Sequence, residues 1–216
     1  MIVQAIRRCL RFVFFRDGWI SAKELVPNFF TLLSICTALL AIKWAIEREF
    51  EWALAAIVAS TVLDSIDGRM ARMLNAQSKF GAEFDSLADF VAFGVAPAIL
   101  IFNWGLSHLE SVGWGAVTVL ALACGVRLAR FNAMLEVEKP KWMGNYFTGM
   151  PAPAGAITAM LPLYLDGLGI VDVRAMPLPV ACYLLVLAFL TVSTIPTFSG
   201  KLIGERIGRE WVLPIL

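Results

Sequence analysis

The sequence predicts an all-α membrane protein with six transmembrane helices and an amphipathic interfacial helix near the N-terminus. The first observation is composition: 59% of the 216 residues are hydrophobic and 16% are charged, whereas soluble domains average about 25% charged residues. The second is spacing, because the apolar residues form six stretches close to the roughly 20 residues that cross a bilayer. The third is the uneven distribution of lysine and arginine residues between the loops on the two sides of the membrane. A chain of this length is expected to form one domain, residues 1–216.

Residues 1–22 are predicted to form the interfacial helix. Arg7, Arg8, Arg11 and Arg16 are interspersed there with aliphatic and aromatic residues, a pattern typical of a basic helix on an anionic membrane face. An arginine pair also occurs in export signals. Here, however, Arg11 and Arg16 interrupt the apolar stretch and no small-residue cleavage site follows, which argues against a signal.

The six predicted spans form a core over residues 27–198. They run approximately over residues 27–46, 52–74, 84–105, 112–134, 152–170 and 178–198. With both termini on one side, all but three of the 18 lysine and arginine residues fall on that side. The exceptions are Lys43, Arg48 and Arg174. The positive-inside rule makes the basic side cytoplasmic, so we expect both termini to face the cytoplasm.

Other chemistry-bearing residues are isolated. The cysteines Cys9, Cys36, Cys124 and Cys182 are far apart and are interpreted as small apolar residues rather than metal ligands or disulfides. The single histidine, His108, has no second histidine or cysteine nearby. No basic run of the kind that binds nucleic acid occurs, so nucleic acid is not an expected partner.

Four carboxylates fall within one window of the chain, among almost purely apolar neighbours. The pattern is Asp64-x2-Asp67-Gly68-x2-Ala71-Arg72-x8-Gly81-x3-Asp85-x3-Asp89. An ionised side chain at the centre of a membrane helix costs roughly 2.5–3.5 kcal/mol, so the cluster calls for cations to hold it. The predicted topology places both aspartate pairs at the cytoplasmic level, at the end of the second span and the start of the third. The active site is therefore expected to face the cytoplasm.

The spacing within each pair favours a shared metal site. Asp64 and Asp67 are three residues apart, and Asp85 and Asp89 four apart, so each pair lies on one helix face. Two facing helices can hold two divalent ions, Mg²⁺ or Mn²⁺, about 3.5–4 Å apart between such oxygens. The alternative is that these are helix-terminal acids that simply face water.

Small residues and one cation accompany the carboxylates. Gly68 and Ala71 leave the backbone accessible to a ligand, and Gly81 is expected to let the inner loop turn into the third span. The guanidinium of Arg72 suits a pyrophosphate group held by metals. The alternative for Arg72 is a cytoplasmic membrane anchor.

At these residues the chain resembles the CDP-alcohol phosphatidyltransferase family, whose signature D-x2-D-G-x2-A-R-x8-G-x3-D-x3-D it meets at every fixed position. The resemblance implies six membrane helices, bound divalent ions and frequent homodimers. It also implies transfer of a substituted phosphate from a CDP-linked lipid to an alcohol, with release of CMP.

The resemblance also implies roles for individual residues. The metal ligands would be Asp64, Asp67, Asp85 and Asp89, and Asp89 would also act as the base. The segment Pro27–Leu32 looks like the family's P-N-x-x-T-L segment, which borders the nucleotide pocket; Asn28 and Thr31 are otherwise a helix cap and a turn residue. The full set implied to bind the CDP-lipid is Asn28, Thr31, Asp67, Gly68, Ala71, Arg72, Ser78 and Gly81.

Segments outside the signature bear on the acceptor alcohol. Residues 85–97, 124–132 and 147–153, and more weakly 193–201, resemble the serine-using bacterial branch of the family. This implies CDP-diacylglycerol and L-serine as substrates, with membrane lipids around the chain. Arg127, Arg130 and Asn132 are the candidates to bind the serine carboxylate. They are otherwise cytoplasmic anchors or bind lipid phosphate.

Two other functions are compatible with the sequence. A related transferase that uses glycerol 3-phosphate or inositol phosphate would be expected to have a denser basic pocket near the metals. A cation transporter would be expected to place its charges near the bilayer midplane and to contain inverted repeats. The carboxylates lie at one interface, and no repeat is visible in the sequence.

Overall fold

The computed structural model describes residues 25–76, 78–135, 146–148, 150–193 and 196–198, and most of these residues are helical. The helices lie at the positions of the six predicted spans. Their bounds are α1 Leu25–Ile46, α2 Phe50–Met73, α3 Lys79–Asp89, α4 Ala96–Ile101, α5 Glu110–Leu135, α6 Ala152–Ala159, α7 Leu161–Gly167 and α8 Pro177–Val192. The predicted interfacial helix, residues 1–22, lies outside the described residues.

The third predicted span is longer and less regular than expected. It begins at Lys79 rather than at residue 84, and two π-helical segments, Phe90–Val95 and Phe102–Leu106, interrupt it on either side of α4. A 3₁₀ turn follows at Ser107–Leu109. Such π segments shift the side-chain register and are frequent at functional sites.

The prediction of one continuous helix over residues 152–170 is wrong at Met160, where α6 ends and α7 begins. Pro162 is the cause, because proline has no N–H to donate to the carbonyl of Thr158 and its ring crowds that carbonyl. The Tyr183 hydroxyl of α8 donates to the same carbonyl at 2.6 Å. The break is therefore satisfied by the neighbouring helix.

The last predicted span also ends early. Helix α8 stops at Val192, and Pro196–Phe198 forms a strand, β2, that pairs antiparallel with β1, Tyr146–Thr148. Prolines are disfavoured inside helices, so Pro196 marks the change of structure. The prediction of helix is wrong at Ser193 and at Pro196–Phe198, and this two-stranded sheet is a short addition to the otherwise helical elements of the described residues.

Helices α1 and α2 pack closely along small residues. Ala41 and Ala45 of α1 and Ala53 and Ala56 of α2 are all buried in one apolar cluster. Small residues let two helix backbones approach closely in apolar surroundings. The α1–α2 seam, defined by these alanines, is the base on which the rest of the chain packs.

Two serines continue the seam. The Ser34 and Ser60 hydroxyl oxygens lie 2.8 Å apart, and the Ser60 hydroxyl is 3.1 Å from the Ser34 carbonyl oxygen. Both residues are at most 2% exposed. The hydroxyl pair therefore links the two helices where no water competes.

Large apolar residues cover the outside of the helices. Leu32, Leu39, Val62, Val119 and Phe189 are all exposed. Helix α1 and the helical run Lys79–Met134 are long and apolar enough to cross a membrane, and α8 is apolar but shorter. Helix α2 has the length of a span but carries charged residues, which are Glu51, Asp64, Asp67, Arg69 and Arg72.

We predict that the Ser34–Ser60 pair stabilises the α1–α2 seam. In a double-mutant cycle with Ser34→Ala and Ser60→Ala, the coupling in the free energy of unfolding should be ~0.6–1.7 kcal/mol, the range for hydrogen bonds between membrane helices. Unfolding of the purified protein by SDS in mixed micelles measures it. The control is Ser65→Ala, since the Ser65 hydroxyl is exposed and, within the part of the chain that the structure describes, bonds only to the Thr61 carbonyl of its own helix. Additive single-mutant effects would contradict the prediction.

Candidate active site

Helices α2 and α3 bring three of the four predicted carboxylates together. Carboxylate oxygens of Asp64, Asp67 and Asp85 all lie within 4.8 Å of one another. Asp64 and Asp67 share one face of α2, and Asp85 comes from α3, across the turn at residues 74–76. The two pairs that were separate in sequence thus meet in space.

Asp67 is the most deeply placed of the three. It is 3% exposed, and the Thr31 hydroxyl of α1 donates to its Oδ2 at 2.7 Å. Thr31 is also buried, at 4% exposure. The bond fixes the direction of the Asp67 carboxylate, and it extends the α1–α2 seam into the site.

Asp89 lies beside this group rather than within it. Its carboxyl group interacts with that of Asp64, and its Oδ1 is buried without a hydrogen-bond partner among the described residues. Arg127 of α5 acts electrostatically on Asp89, and the Arg127 Nε is buried and unpartnered in the same sense. Buried polar groups are normally satisfied, so these two atoms mark a polar region that suits a ligand.

The carboxylate group fits a small divalent ion. All of its donors are oxygens, as Mg²⁺ and Mn²⁺ prefer. The Asp64, Asp67 and Asp85 carboxylates lie within 4.8 Å of one another, so each could give one oxygen ligand to the same ion.

An open cleft of about 210 Å³ adjoins the carboxylates. Its walls include every residue that the sequence implied for the CDP-lipid: Asn28, Thr31, Asp67, Gly68, Ala71, Arg72, Ser78 and Gly81. A Cβ atom added at Gly68 would meet nothing within 4 Å, so the backbone there is open to the cleft. The Asn28 Nδ2 is buried and has no partner among the described residues.

Gly81 does not form the turn that the sequence suggested. It lies in the first turn of α3, where its N–H donates to the Ser78 hydroxyl at 3.1 Å, so Ser78 is the N-cap of this helix. A Cβ at Gly81 would lie 3.2 Å from Ser78 Oγ and 3.4 Å from Asn28 Oδ1. The glycine therefore allows α1 to approach the start of α3.

The π-helical segment after Asp89 is held by an aromatic ring that the sequence analysis did not single out. A Cβ added at Gly125 would lie 3.1 Å from the Phe90 ring, and one at Gly94 would lie 3.3 Å from it. Phe90 thus sits in a notch, the Phe90 notch, formed by Gly94 and Gly125. The sequence signal for this contact is an aromatic residue in one span and a glycine in the next. A single sequence does not show which glycine lies opposite which aromatic residue.

The three residues predicted to bind a serine carboxylate do not form one group. Arg127 lies beside Asp89, whereas an Arg130 Nη donates to the carbonyl of Val192 at 2.7 Å and so joins α5 to the end of α8. Asn132 bonds to Ser86 at 2.9 Å and to Glu83 at 3.3 Å, both on α3. Of the three, Arg127 alone adjoins the carboxylates.

Comparison with known proteins identifies close relatives. The chain is 46% identical over 138 residues to a Mycobacterium leprae (strain TN) protein named CDP-diacylglycerol–serine O-phosphatidyltransferase, covering 63% of this chain and 46% of that protein. A Helicobacter pylori (strain J99) protein of the same name is 40% identical over 142 residues, 66% of this chain and 58% of that protein. A Methanocaldococcus jannaschii protein of the same name is 39% identical over 132 residues, which are 61% of this chain and 57% of that protein.

These alignments leave part of each relative unmatched, since the chain spans about half the length of the curated relatives that it matches. The family comparison covers far more of this chain. The profile of the CDP-alcohol phosphatidyltransferases matches residues 24–194, which include α1 to α8 and every carboxylate of the site. The chain belongs to the CDP-alcohol phosphatidyltransferase family.

Proposed function

We propose that the chain acts as a phosphatidylserine synthase, which transfers the phosphatidyl group of CDP-diacylglycerol to the hydroxyl of L-serine and releases CMP. The observation that carries the proposal is the group of Asp64, Asp67 and Asp85 carboxylates, within 4.8 Å of one another, beside a cleft lined by Gly68 and Arg72. The names of the matched relatives support serine as the acceptor.

The carboxylates are the proposed metal ligands. The family is divalent-metal dependent, and we assign Asp64, Asp67, Asp85 and Asp89 to two ions, Mg²⁺ or Mn²⁺. When bound, such ions neutralise diphosphate oxygens and stabilise the departing CMP. Thr31 contributes by orienting Asp67 through the 2.7 Å hydrogen bond.

The cleft is the proposed binding site of the cytidine diphosphate. The open backbone at Gly68 and Ala71 lets the ligand approach α2, and Arg72 supplies a positive charge for the phosphate oxygens. The unpartnered amide of Asn28 supplies a buried donor on the opposite wall. Ser78 and Gly81 shape the third wall at the start of α3.

Asp89 is the proposed base. It lies at the inner edge of the carboxylate group, with an unpartnered oxygen. That oxygen accepts the proton of the serine hydroxyl as the hydroxyl oxygen attacks the phosphorus that carries the diacylglycerol. The bond from this phosphorus to the CMP oxygen breaks, and CMP leaves with the electron pair.

Arg127 is the proposed partner of the serine carboxylate. A bound serine must place its hydroxyl near Asp89, and Arg127 is the cation beside Asp89. The Val192 carbonyl engages Arg130, and α3 engages Asn132. We assign these two residues to supporting the pocket from α8 and α3.

The chain is proposed to be a single domain of the bacterial inner membrane. The family is membrane-embedded, and the exposed apolar faces of α1 and of the run Lys79–Met134 support this. Six spans, an interfacial helix at residues 1–22 and cytoplasmic termini follow the positive-inside rule; labelling of single cysteines from each side of the membrane tests them. A homodimer is proposed by analogy, and light scattering in detergent tests it.

The proposed reaction predicts CMP release that depends on serine and metal. Purified protein with CDP-diacylglycerol and Mg²⁺ or Mn²⁺ should release CMP when L-serine is added, and EDTA should stop the release reversibly. Asp89→Asn should abolish turnover while the far-UV circular dichroism stays helical. Release with glycerol 3-phosphate but not with serine would overturn the serine assignment.

The same assay separates the two arginines. Arg127→Gln should raise KM for serine by about 10-fold or more with little change in KM for CDP-diacylglycerol, because it removes a charge-assisted contact worth ~1.5–3 kcal/mol. Arg130→Gln is the matched control, and its effect should fall on stability. An equal rise in serine KM for both variants would refute the assignment of Arg127.

Thr31 is predicted to act through Asp67 and hence on metal affinity. Thr31→Val removes the donor at nearly constant volume, and loss of such an orienting partner typically weakens metal binding about 10–100-fold. Calorimetric titration with Mn²⁺ in the absence of nucleotide measures this directly. The control is Thr37→Val on the same helix, because among the described residues the Thr37 hydroxyl bonds only to carbonyls of α1. Unchanged Mn²⁺ affinity with a raised KM for CDP-diacylglycerol would mean that Thr31 contacts the nucleotide instead.

The Phe90 notch is predicted to position Asp89. Gly125→Ala places a methyl group against the Phe90 ring and should lower kcat by up to about 100-fold, since a misplacement of about 1 Å can cost that much, with both KM values nearly unchanged. Gly125→Ala combined with Phe90→Leu should recover activity, because the shorter side chain makes room. Gly115→Ala, on the same helix with nothing within 4 Å, is the control. Failure of the double variant to recover would show that the ring is not the cause.

A further inference from the structure

A second cavity, of about 570 Å³, lies far from the carboxylate cleft. Its walls are residues 48–52, Leu54, Trp104 and part of the segment 163–174. Glu51, on its wall, precedes Asp67 by 16 residues of the continuous helix α2, which corresponds to about 24 Å at 1.5 Å per residue. The cavity is therefore at the opposite end of the α1–α2 pair, and the proposed reaction does not use it.

Arg174 is held in this cavity by two aromatic rings and one carboxylate. Its guanidinium carbon lies 5.5 Å from the centre of the Phe50 ring and 5.3 Å from that of Trp104, which are cation–π distances. Its Nε is 3.3 Å from Asp166 Oδ2. The terminal amino groups have no hydrogen-bond partner among the described residues, so they can donate to an anion.

Asp166 fixes the segment that carries Arg174. Its Oδ1 accepts the backbone N–H groups of Val173 at 3.1 Å and Arg174 at 3.5 Å. Gly169, with a φ of +67°, allows the chain to turn after α7. Arg174 is therefore pre-positioned, and a ligand need not order it on binding.

Charges of both signs surround Arg174. Arg48 adds a second cation to the cavity wall, and Glu49 and Glu51 add two carboxylates that have no ion-pair partner among the described residues. Exposed apolar side chains border the same region: Trp52 is 62% exposed and Leu168 is 72% exposed. The cavity therefore has charged residues on its walls and exposed apolar side chains at its edge, at the end of the α1–α2 pair opposite the carboxylates.

We propose that this cavity binds the headgroup of a zwitterionic phospholipid. The headgroup phosphate accepts hydrogen bonds from Arg174 and Arg48, and its ammonium group lies against Glu49 and Glu51. The acyl chains follow the exposed Trp52 and Leu168. The inference rests on the membrane placement given under Proposed function, which puts this end of α2 at the non-cytoplasmic face of the inner membrane.

The charge balance favours a zwitterion over an anionic lipid. Asp166 already neutralises much of the charge of Arg174 through the 3.3 Å contact. An anionic headgroup without an ammonium group leaves Glu49 and Glu51 uncompensated beside its phosphate. A phosphoethanolamine headgroup satisfies both signs at once.

Native mass spectrometry of the delipidated full chain tests the proposal, with 1-palmitoyl-2-oleoyl phosphatidylethanolamine and the matching phosphatidylglycerol as probes. The wild type should bind phosphatidylethanolamine about tenfold more tightly. Arg174→Gln should weaken both lipids, and the Glu49→Gln/Glu51→Gln variant should lose the preference for phosphatidylethanolamine. Arg48→Gln provides a phosphate-side test that leaves the Asp166 contacts intact. The control is Lys43→Gln, an exposed residue that pairs with Glu47.

Equal binding of the two lipids by the wild type, or tighter binding of phosphatidylglycerol, would overturn the proposal. Wild-type affinities in both arginine variants would overturn it as well. Free phosphoethanolamine that displaces the lipid at equal concentration would show a soluble ligand rather than a lipid. The readout needs no turnover, so an inactive chain that keeps this selectivity would contradict the proposed function alone.

Discussion

The close packing of α1 against α2 is the constraint on which the rest of the structure depends. Alanines bring the two backbones together, the Ser34–Ser60 pair links them, and the Thr31–Asp67 bond closes the same interface at the carboxylate site. A large side chain at any of these positions separates the helices and, with them, the walls of the cleft. The geometry of the site is thus set by small residues that carry no chemistry themselves.

The carboxylate group raises an electrostatic difficulty that the fold resolves only in part. Asp67 accepts a hydrogen bond from the Thr31 hydroxyl. Oxygens of Asp64 and Asp85 nevertheless lie within 4.8 Å of the Asp67 carboxylate and of each other, and Asp89 adds a fourth acid. Among the described residues, Arg127 lies beside Asp89 and Arg72 lines the adjoining cleft, and two positive charges do not balance four carboxylates. The described side chains therefore leave a net negative charge in a poorly solvated place, which divalent ions can offset.

The sequence was sufficient for the places of the helices and the meeting of the aspartate pairs, because apolar length and i,i+3 or i,i+4 spacing are local signals. It was insufficient where the structure of one element depends on contact with a distant one. The break at Met160 depends on Pro162 and on Tyr183 from a different helix, and the strand at Pro196–Phe198 depends on a partner some 50 residues earlier in the chain. The Thr31–Asp67 bond joins residues 36 positions apart. Such long-range contacts have no signature in one sequence.

The two irregular segments of the third span connect the two ends of the molecule. The first, Phe90–Val95, directly follows Asp89, and the glycines of the Phe90 notch accommodate it. The second, Phe102–Leu106, contains Trp104, whose ring meets Arg174 in the far cavity. Each π segment changes the direction of the side chains that follow it, compared with their direction in a regular α-helix. The first π segment lies between Asp89 and Trp104, so it contributes to the direction of Trp104 relative to that of Asp89 along one helical run.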